Sequence, residues 1–133
     1  MEIREYKNYN EEEIMNLYAA VGWTAYTDHP AALREGFERS LLTLAAYEGN
    51  DLLGIIRTVG DGATIVLIQD LLVWPEQQRK GVGTALIRAV LERFSGVRQI
   101  ELITDDTEKT TAFYESTGFR KLSELGCSGF MKS

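Results

Sequence analysis

The pattern of hydrophobic and polar residues predicts a short strand and two helices in the first part of the chain. Residues 3–6 are expected to form the strand. Asn10 is a good N-cap, and three glutamates follow it where the helix dipole favours negative charge. Gly22 is expected to end this helix and Pro30 to lie in the first turn of the next, with residues 23–29 as a loop between them. Hydrophobic residues share one face of each helix: Ile14, Leu17, Tyr18 and Val21 in the first, Leu33, Phe37 and Leu41 in the second.

Longer hydrophobic runs in the middle of the chain predict three strands. Residues 43–47 and 52–59 are joined by one turn, and a second turn at 60–62 leads into the run 63–73. This last run is rich in β-branched residues, which favour strands. It is expected to be a central strand, interrupted by the polar pair Gln69 and Asp70.

A helix and a further strand are expected to follow. Residues 82–95 carry hydrophobic side chains on one helical face, and Gly96 is expected to cap the end of this helix. Residues 97–104 predict a strand. The strands before and after the helix are expected to be parallel, because a right-handed crossover joins them.

The sequence of the last part of the chain predicts one more helix, followed by one or two strands. Asp106 or Thr107 is expected to cap a helix that ends near Thr117, with Gly118 just beyond it. The tail, residues 119–132, is expected to supply one or two strands. The resulting order, β-α-α-β-β-β-α-β-α-β, predicts an α/β fold in which a mixed, mostly antiparallel sheet is flanked by helices.

Composition and charge limit the functions that fit the chain. Its 133 residues suit a single domain, residues 1–133. The formal net charge of −6 argues against nucleic acid as a partner, because nucleic-acid binding needs a basic face. No hydrophobic run approaches the ~20 residues of a membrane span, so no membrane partner is expected. The single cysteine, Cys127, and single histidine, His29, argue against a disulfide and a metal centre, and the reducing cytoplasm is the default compartment.

The segment after the central strand has the composition of an anion site. Residues 78–84, here called the glycine-rich loop, have the sequence Gln-Arg-Lys-Gly-Val-Gly-Thr and lead into the helix predicted from residue 82. The first turn of a helix has unpaired N–H groups, and glycines let a ligand approach the backbone. The loop lacks the Gly-Lys-Ser/Thr of a P-loop, and Leu86 stands where a dinucleotide-binding motif needs a third glycine or alanine. It therefore predicts a diphosphate site outside those two nucleotide-binding folds.

Two blocks of sequence resemble the GNAT superfamily of N-acetyltransferases. The glycine-rich loop, preceded by Val73-Trp74-Pro75, is similar to the family's acetyl-CoA signature, Gln/Arg-x-x-Gly-x-Gly/Ala after Val-x-Pro. Residues 113–119, Phe-Tyr-Glu-Ser-Thr-Gly-Phe, are similar to the family's block Phe-Tyr-x-x-x-Gly-Phe. Gln78 and Tyr114 are 36 residues apart, the usual distance in that family. The resemblance implies a GNAT (acyl-CoA N-acyltransferase) fold and direct transfer of the acetyl group of acetyl-CoA to an amine.

The resemblance also assigns roles to individual residues. Tyr114 is expected near the thioester sulfur, where its hydroxyl acts as a general acid. Leu72 and Val73 are expected to bind the pantetheine arm through their backbones, with an N–H near Leu72 stabilising the oxyanion. Thr107 stands where the family often has an asparagine that bonds the pantetheine arm. The residues expected to hold the diphosphate are Gln78, Arg79, Lys80, Gly81, Val82, Gly83 and Thr84.

The acceptor side needs a base, because an alkylamine with a pKa of about 10.4 is protonated at neutral pH. Asp70 is the candidate base. The alternative is that Asp70 pairs with Arg57 or bonds a neighbouring backbone group. Trp23 and Tyr26 are the candidate substrate-binding residues, since aromatic rings can hold an aromatic or cationic amine. Aromatic residues between two helices are, however, also typical of a hydrophobic core.

Taken together, these features predict an enzyme that acetylates a primary amine. A small molecule is favoured as the acceptor, because the chain is too short to carry a separate recognition domain. A homodimer is expected only by analogy with the family. The competing hypothesis is a regulatory module that binds an acyl-CoA without turning it over.

Overall fold

A computed structural model describes all 133 residues, and the chain divides into two compact units, Met1–Ile103 and Thr104–Ser133. The interpretation of the chain as one domain stays a prediction. The strands of the first unit are β1 (Glu2–Glu5), β2 (Leu42–Glu48), β3 (Asp51–Gly60), β4 (Ile65–Val73) and β5 (Gln99–Leu102). Its α-helices are α1 (Glu11–Ala20), α2 (Thr24–Thr27), α3 (Pro30–Glu38) and α4 (Val82–Arg93).

The five strands form one sheet in the order β1-β2-β3-β4-β5. The pairs from β1 to β4 are antiparallel, whereas β5 runs parallel to β4. The helix α4 lies between β4 and β5 in the chain and provides the crossover that a parallel pair requires. The predicted fold class, a mixed and mostly antiparallel sheet flanked by helices, is confirmed, as is the parallel pair.

The segment between α1 and α3 differs from its prediction. Residues 23–29 were expected as a loop, but they contain the short helix α2. The N–H of Asp28 donates to the carbonyl of Thr24 at 2.9 Å. The ring of Tyr26 packs against Tyr18 of α1, with centroids 5.3 Å apart. This aromatic contact ties the segment to the core, so a helical turn replaces the expected loop.

One face of the sheet is covered by α1 and α3. The predicted hydrophobic faces are buried at Ile14, Leu17, Tyr18, Leu33 and Phe37. Leu41 was wrongly placed on the second face: α3 ends at Glu38, and Leu41 is 37% exposed. Asn10 caps α1 by accepting from the N–H of Glu13 at 3.0 Å. The predicted positions of Gly22 and Pro30 at the helix ends are also confirmed. The buried cluster on this face consists of Ile14, Leu17, Tyr18, Leu33, Phe37, Ala45, Leu52, Ile55 and Leu72.

The helix α4 covers the rest of the sheet. β3 is buried at every position from 52 to 58, so it must be covered on both faces. The stripe of α4 that is buried consists of Val82, Leu86, Ile87 and Val90, none of which belongs to the cluster beneath α1 and α3. The prediction that Gly96 caps this helix is wrong: α4 ends at Arg93, and Phe94 is the capping residue. The carbonyl of Val90 accepts from the N–H of Phe94, which already completes the last turn.

The second unit contains α5 (Glu108–Ser116), which begins and ends as predicted. Thr107 caps it, and Gly118 follows it with a left-handed φ of +100°. The strands expected in the tail are absent. A 3-10 turn at Leu122–Leu125 is followed by Gly126 at φ +77°, and the N–H of Cys127 bonds back to the carbonyl of Leu122. The chain therefore folds back on itself where a strand would have to remain extended.

None of the helices has the length and hydrophobicity that crossing a membrane requires. No group of three or more His, Cys, Asp or Glu side chains is arranged to hold a metal ion.

Candidate active site

Asp70 lies at the centre of a buried hydrogen-bond network. It stands opposite Arg57 in the register of β3 and β4, and both side chains point toward α1 and α3. Asp70 is 1% exposed and Arg57 is 5% exposed. The Nε of Arg57 and the hydroxyl of Tyr18 both donate to Oδ2 of Asp70 at 2.7 Å. The ion pair with Arg57, which was the alternative to a role as base, is therefore present, and the role of Asp70 as base stays a prediction.

The other end of Arg57 is held by the helix α3. Its Nη1 donates to the carbonyl of Gly36 at 3.3 Å and to the hydroxyl of Ser40 at 3.2 Å. Burial acts to lower the pKa of Arg57, but the charge and hydrogen bond of Asp70 outweigh it and raise the pKa above its usual value. Arg57 is thus a fixed cation within the buried network.

The predicted substrate-binding residues lie directly above this network. Tyr26 donates from its hydroxyl to Oδ1 of Asp70 at 3.2 Å and accepts from Nε2 of Gln69 at 3.2 Å. Trp23 is 37% exposed and stacks on Tyr26, with centroids 5.9 Å apart. Tyr18, Trp23 and Tyr26, here called the aromatic cluster, form a wall with a buried carboxylate behind it. The structure therefore brings Asp70, Trp23 and Tyr26 together.

Two members of this arrangement, Tyr18 and Gln69, were not predicted from the sequence. Tyr18 was assigned to the core from its helical spacing, which is correct for its ring but leaves out its hydroxyl. Gln69 was seen only as an interruption of the strand. It lies at a β-bulge opposite the Arg57–Thr58 step, and bulges often re-aim side chains next to active sites. The sequence does contain a signal for the role of Tyr18. It is a tyrosine on the buried face of a helix, and the hydrophobic strand β4 contains a single acidic residue, Asp70, that needs a hydrogen-bond donor.

The strand β4 has a free edge just beyond Asp70. β5 pairs with β4 only over Ile65–Ile68, whereas β3 pairs with β4 as far as Val73. Residues 71–73, here called the free edge, therefore have no strand on one side. Unpaired backbone groups of this kind accept an extended ligand as an additional strand.

The alternation of the strand identifies which groups face outward. The N–H of Trp74 donates to the carbonyl of Leu53 at 2.9 Å, and the carbonyl of Leu72 abuts Gly54 of β3. Backbone groups alternate in direction, so those of Leu71 and Val73 face away from β3. The side chain of Gln78 donates to the outward carbonyl of Val73 at 3.2 Å. The backbone groups of Leu72, predicted to bind the pantetheine arm, therefore face β3, whereas those of Val73 face outward as its predicted contact requires. The outward N–H groups nearest Leu72 are those of Leu71 and Val73, and the oxyanion contact stays a prediction.

The glycine-rich loop continues directly from this edge and is left-handed at two positions. Arg79 has a φ of +65°, the only positive φ of a residue other than glycine, and Gly81 has a φ of +87°. Left-handed residues alternating with ordinary ones turn successive N–H groups toward one point, which forms a nest for anions. A non-glycine residue in this conformation costs about 1–2 kcal/mol, which the surroundings must offset.

Beyond Gln78, the N–H groups and the two cations of the glycine-rich loop lack partners within the protein. Ala85 is the first residue of α4 whose N–H bonds to a carbonyl one turn back, that of Gly81. The N–H groups of residues 82–84 therefore point out of the helix end unbonded. Arg79 and Lys80 are exposed and form no ion pair. The loop combines free donors and two free cations in a chain of net charge −6.

Tyr114 lies on α5 in the second unit. Its ring packs edge to face against Phe113 and Phe119, with centroids 5.0 and 6.0 Å away. Burial raises the pKa of Tyr114 above its usual value. The hydroxyl therefore keeps its proton at neutral pH, as a general acid must before it reacts. Its predicted place beside the thioester stays a prediction.

Thr107 uses its hydroxyl to cap α5. The hydroxyl accepts from the N–H of Thr110 at 3.2 Å and donates to the hydroxyl of Thr110 at 2.9 Å. A contact with the pantetheine arm would compete with this donation. The cofactor role of Thr107 remains a prediction.

Comparison with known proteins places these features in a family. Residues 5–130 match the sequence model described as acetyltransferase (GNAT) domain. A GNAT-family acetyltransferase from Streptococcus pneumoniae is 37% identical and superposes with a TM-score of 0.90, covering 99% of this chain and 96% of that one.

Two more distant structures share the fold. An aminoglycoside 6′-N-acetyltransferase in complex with coenzyme A is 21% identical, with a TM-score of 0.75 over 89% of this chain and 84% of that one. A transcriptional regulator from Bacillus halodurans is 18% identical, with a TM-score of 0.76 over 99% of this chain and 98% of that one. Matching by sequence model and by structure along nearly its whole length, the chain belongs to the GNAT acetyltransferase family.

Proposed function

We propose that this protein transfers the acetyl group of acetyl-CoA directly to a primary amine of a small molecule. The observation that carries the proposal is the continuity of the free edge with the glycine-rich loop. One stretch of backbone, residues 71–84, offers an unpaired strand edge followed by free N–H groups and two free cations. Coenzyme A has the complementary order of parts, an amide-bearing arm followed by a diphosphate.

The diphosphate end is supported by electrostatics. Residues 79–84 supply backbone donors at the positive end of α4, and Arg79 and Lys80 add full charges. The structural relative with bound coenzyme A supports an acyl-CoA as the ligand. Acetyl-CoA in particular is our proposal, and no metal ion takes part in it.

The acetyl transfer requires three kinds of group from the protein: an oxyanion donor, a general acid and a base. An outward N–H of Leu71 or Val73 stabilises the negative charge that develops on the carbonyl oxygen. Tyr114 protonates the departing thiolate, and burial keeps its hydroxyl protonated until then. A base removes a proton from the acceptor, and Asp70 is the carboxylate of the acceptor side. The amine nitrogen bonds to the carbonyl carbon as the carbon–sulfur bond breaks.

The aromatic cluster supports an amine as the acceptor. An ammonium group is attracted to the faces of Trp23 and Tyr26. We place the protein in the cytoplasm because of its single unpaired cysteine, and we keep a homodimer as a family-based expectation.

An acceptor screen tests the proposal. Release of free thiol from acetyl-CoA is followed across a panel of primary amines, with the wild type and Tyr114→Phe compared in parallel. The proposal predicts turnover with at least one amine and about 10²-fold slower turnover in the variant, at unchanged affinity for coenzyme A. Tight binding of coenzyme A without turnover of any amine would instead support a regulatory module.

A further inference from the structure

We propose that the hydroxyl of Tyr26 carries a proton from the acceptor ammonium to Asp70, an inference that rests on the proposed function. The candidate base is 1% exposed and is enclosed by Tyr18, Tyr26 and Arg57. An acceptor amine therefore has no direct path to the carboxylate. Tyr26 is partly exposed, so it is accessible to an acceptor, and its hydroxyl also bonds to Asp70.

The two oxygens of Asp70 are in different situations. Oδ2 accepts two short hydrogen bonds at 2.7 Å, one from Arg57 and one from Tyr18. Oδ1 accepts only from the hydroxyl of Tyr26, at 3.2 Å. A carboxylate oxygen has two lone pairs, so Oδ1 has the capacity to take a proton while Oδ2 stays fully engaged. The bond to Tyr26 therefore points at the one oxygen that can receive a proton.

The hydroxyl of Tyr26 has a free lone pair for the amine. A tyrosine hydroxyl donates one hydrogen bond and can accept two. Tyr26 donates to Asp70 and accepts one bond, from Nε2 of Gln69 at 3.2 Å. The remaining lone pair can accept a hydrogen bond from an ammonium group held against the face of Trp23.

The hydroxyl of Tyr26 also lies next to the part of β4 that would bind the acyl-CoA. Its two partners, Gln69 and Asp70, immediately precede the free edge at residues 71–73. An acyl-CoA bound along that edge places its reactive end next to the residues that hold Tyr26. The Asp70 bond and the Gln69 bond therefore fix one hydroxyl between the acceptor and the base.

The transfer conserves protons and charge. The ammonium gives one proton to the oxygen of Tyr26 as Tyr26 gives its own proton to Oδ1 of Asp70. The neutral amine then attacks, Tyr114 protonates the departing thiolate, and the second proton of the amine nitrogen replaces the one that Tyr114 gave. Asp70 returns its proton to solvent by the reverse route after the product leaves. The sum is one amide, one thiol and one released proton per turnover.

The groups that face Asp70 permit this step. They are Arg57 from β3, Tyr18 from α1 and Tyr26 from α2, while α3 contacts only the far end of Arg57. Burial, followed by the charge of Asp70, raises the pKa of Tyr18, so its hydroxyl remains a donor. The hydrogen bonds from Arg57 and Tyr18 to Oδ2 leave Oδ1 as the oxygen that receives the proton.

The test compares Tyr26→Phe with the wild type on acceptors of different basicity. The variant keeps the ring that stacks on Trp23 and removes only the hydroxyl. For an alkylamine with a pKa of about 10.4, kcat/KM at pH 7 should fall about 10²-fold. The deficit should shrink to a few-fold as the pH approaches the pKa of the amine. For a hydrazide or an aromatic amine, which is neutral at pH 7, the variant and the wild type should match.

Tyr18→Phe is the matched control, because it also removes a phenol that donates to Asp70. Any loss it causes should be the same for strongly and weakly basic acceptors. A Tyr26→Phe deficit that is equally independent of acceptor basicity and pH, or no deficit at all, would overturn the relay. Failure of the wild type to acetylate any amine, with coenzyme A bound, would instead overturn the proposed function itself.

Discussion

The Asp70 network and the glycine-rich loop lie in the same unit and differ in how their polar groups are satisfied. The network is buried, and Asp70 accepts three hydrogen bonds from Arg57, Tyr18 and Tyr26. The loop is largely exposed, and its N–H groups at residues 82–84 and its two cations have no partner. The first region is complete without a ligand, and the second is not.

This difference separates two uses of polar groups. A buried ion pair that loses one member leaves a charge without compensation, so the network is tied to the stability of the fold. The loop carries a left-handed Arg79 and unpaired donors, which contribute little to stability and stand ready for an anion. Substitutions in the network should therefore change folding, and substitutions in the loop should change binding.

The largest expected effect is on the network. Asp70→Ala should lower the free energy of unfolding by about 3–5 kcal/mol, because Arg57 would remain buried without its counter-ion. Denaturant unfolding measures this loss. The double variant Asp70→Ala with Arg57→Met should recover much of it, and Lys80→Ala in the loop should stay within about 0.5 kcal/mol of the wild type. Equal losses for Asp70→Ala and Lys80→Ala would erase the contrast.

The largest effect on binding is expected at Gly83, the second residue of α4. Gly83→Asp places a carboxylate against the diphosphate and should weaken binding of coenzyme A by about 10²-fold or more. The free energy of unfolding should not fall, since an acid at a helix N-terminus is favourable. Calorimetric titration with coenzyme A measures the affinity of both Gly83→Asp and Gly83→Ala. The comparison separates the effect of the added charge from that of the added side-chain volume. Unchanged affinity in the aspartate variant would refute the assignment of the loop.

A medium effect is expected where β3 supports the free edge. A Cβ on Gly54 would lie 2.5 Å from the carbonyl oxygen of Leu72 and 3.2 Å from Cα of Val73. Gly54→Ala should therefore lower the free energy of unfolding by about 1–3 kcal/mol and also weaken the binding of coenzyme A, because β4 must move. Gly96→Ala, with nothing within 4 Å of its Cβ, is the control. A Gly54 variant as stable as that control would show that β4 shifts without penalty.

The smallest effect concerns the strain at Arg79. Arg79→Gly should be more stable than Arg79→Ala by about 1 kcal/mol, because only glycine adopts a φ of +65° without a penalty. Both variants should lose the same affinity for coenzyme A, since both lack the guanidinium. Thermal unfolding and titration of the pair measure the two quantities separately. An Arg79→Ala variant as stable as Arg79→Gly would mean that the loop is not held in this conformation.

Local sequence signals predicted the elements well. The Asn10 cap, the buried face of α1, the parallel strand after α4 and the left-handed Gly118 all follow from residues within one or two turns of each other. Both motif blocks lie on the elements that were predicted for them. Such features depend on neighbours in the chain, so a sequence displays them directly.

Features that depend on distant residues were not predictable in the same way. The bond from Tyr18 to Asp70 joins residues 52 positions apart, and helical spacing reports the burial of the ring but not the partner of the hydroxyl. The hydrophobic tail suggested strands, yet a strand needs an edge to pair with, and the turn ending at Gly126 redirects the chain. The helix α2 likewise depends on packing of Tyr26 against Tyr18.

Binding of the diphosphate by the loop is tested most directly by an amide NMR titration of the labelled protein with coenzyme A and, separately, with pantetheine, which lacks the diphosphate. If the loop amides bind the diphosphate, the N–H resonances of residues 79–84 should shift most with coenzyme A and remain near their free positions with pantetheine. Coenzyme A that shifts other amides and leaves residues 79–84 unchanged would contradict the account.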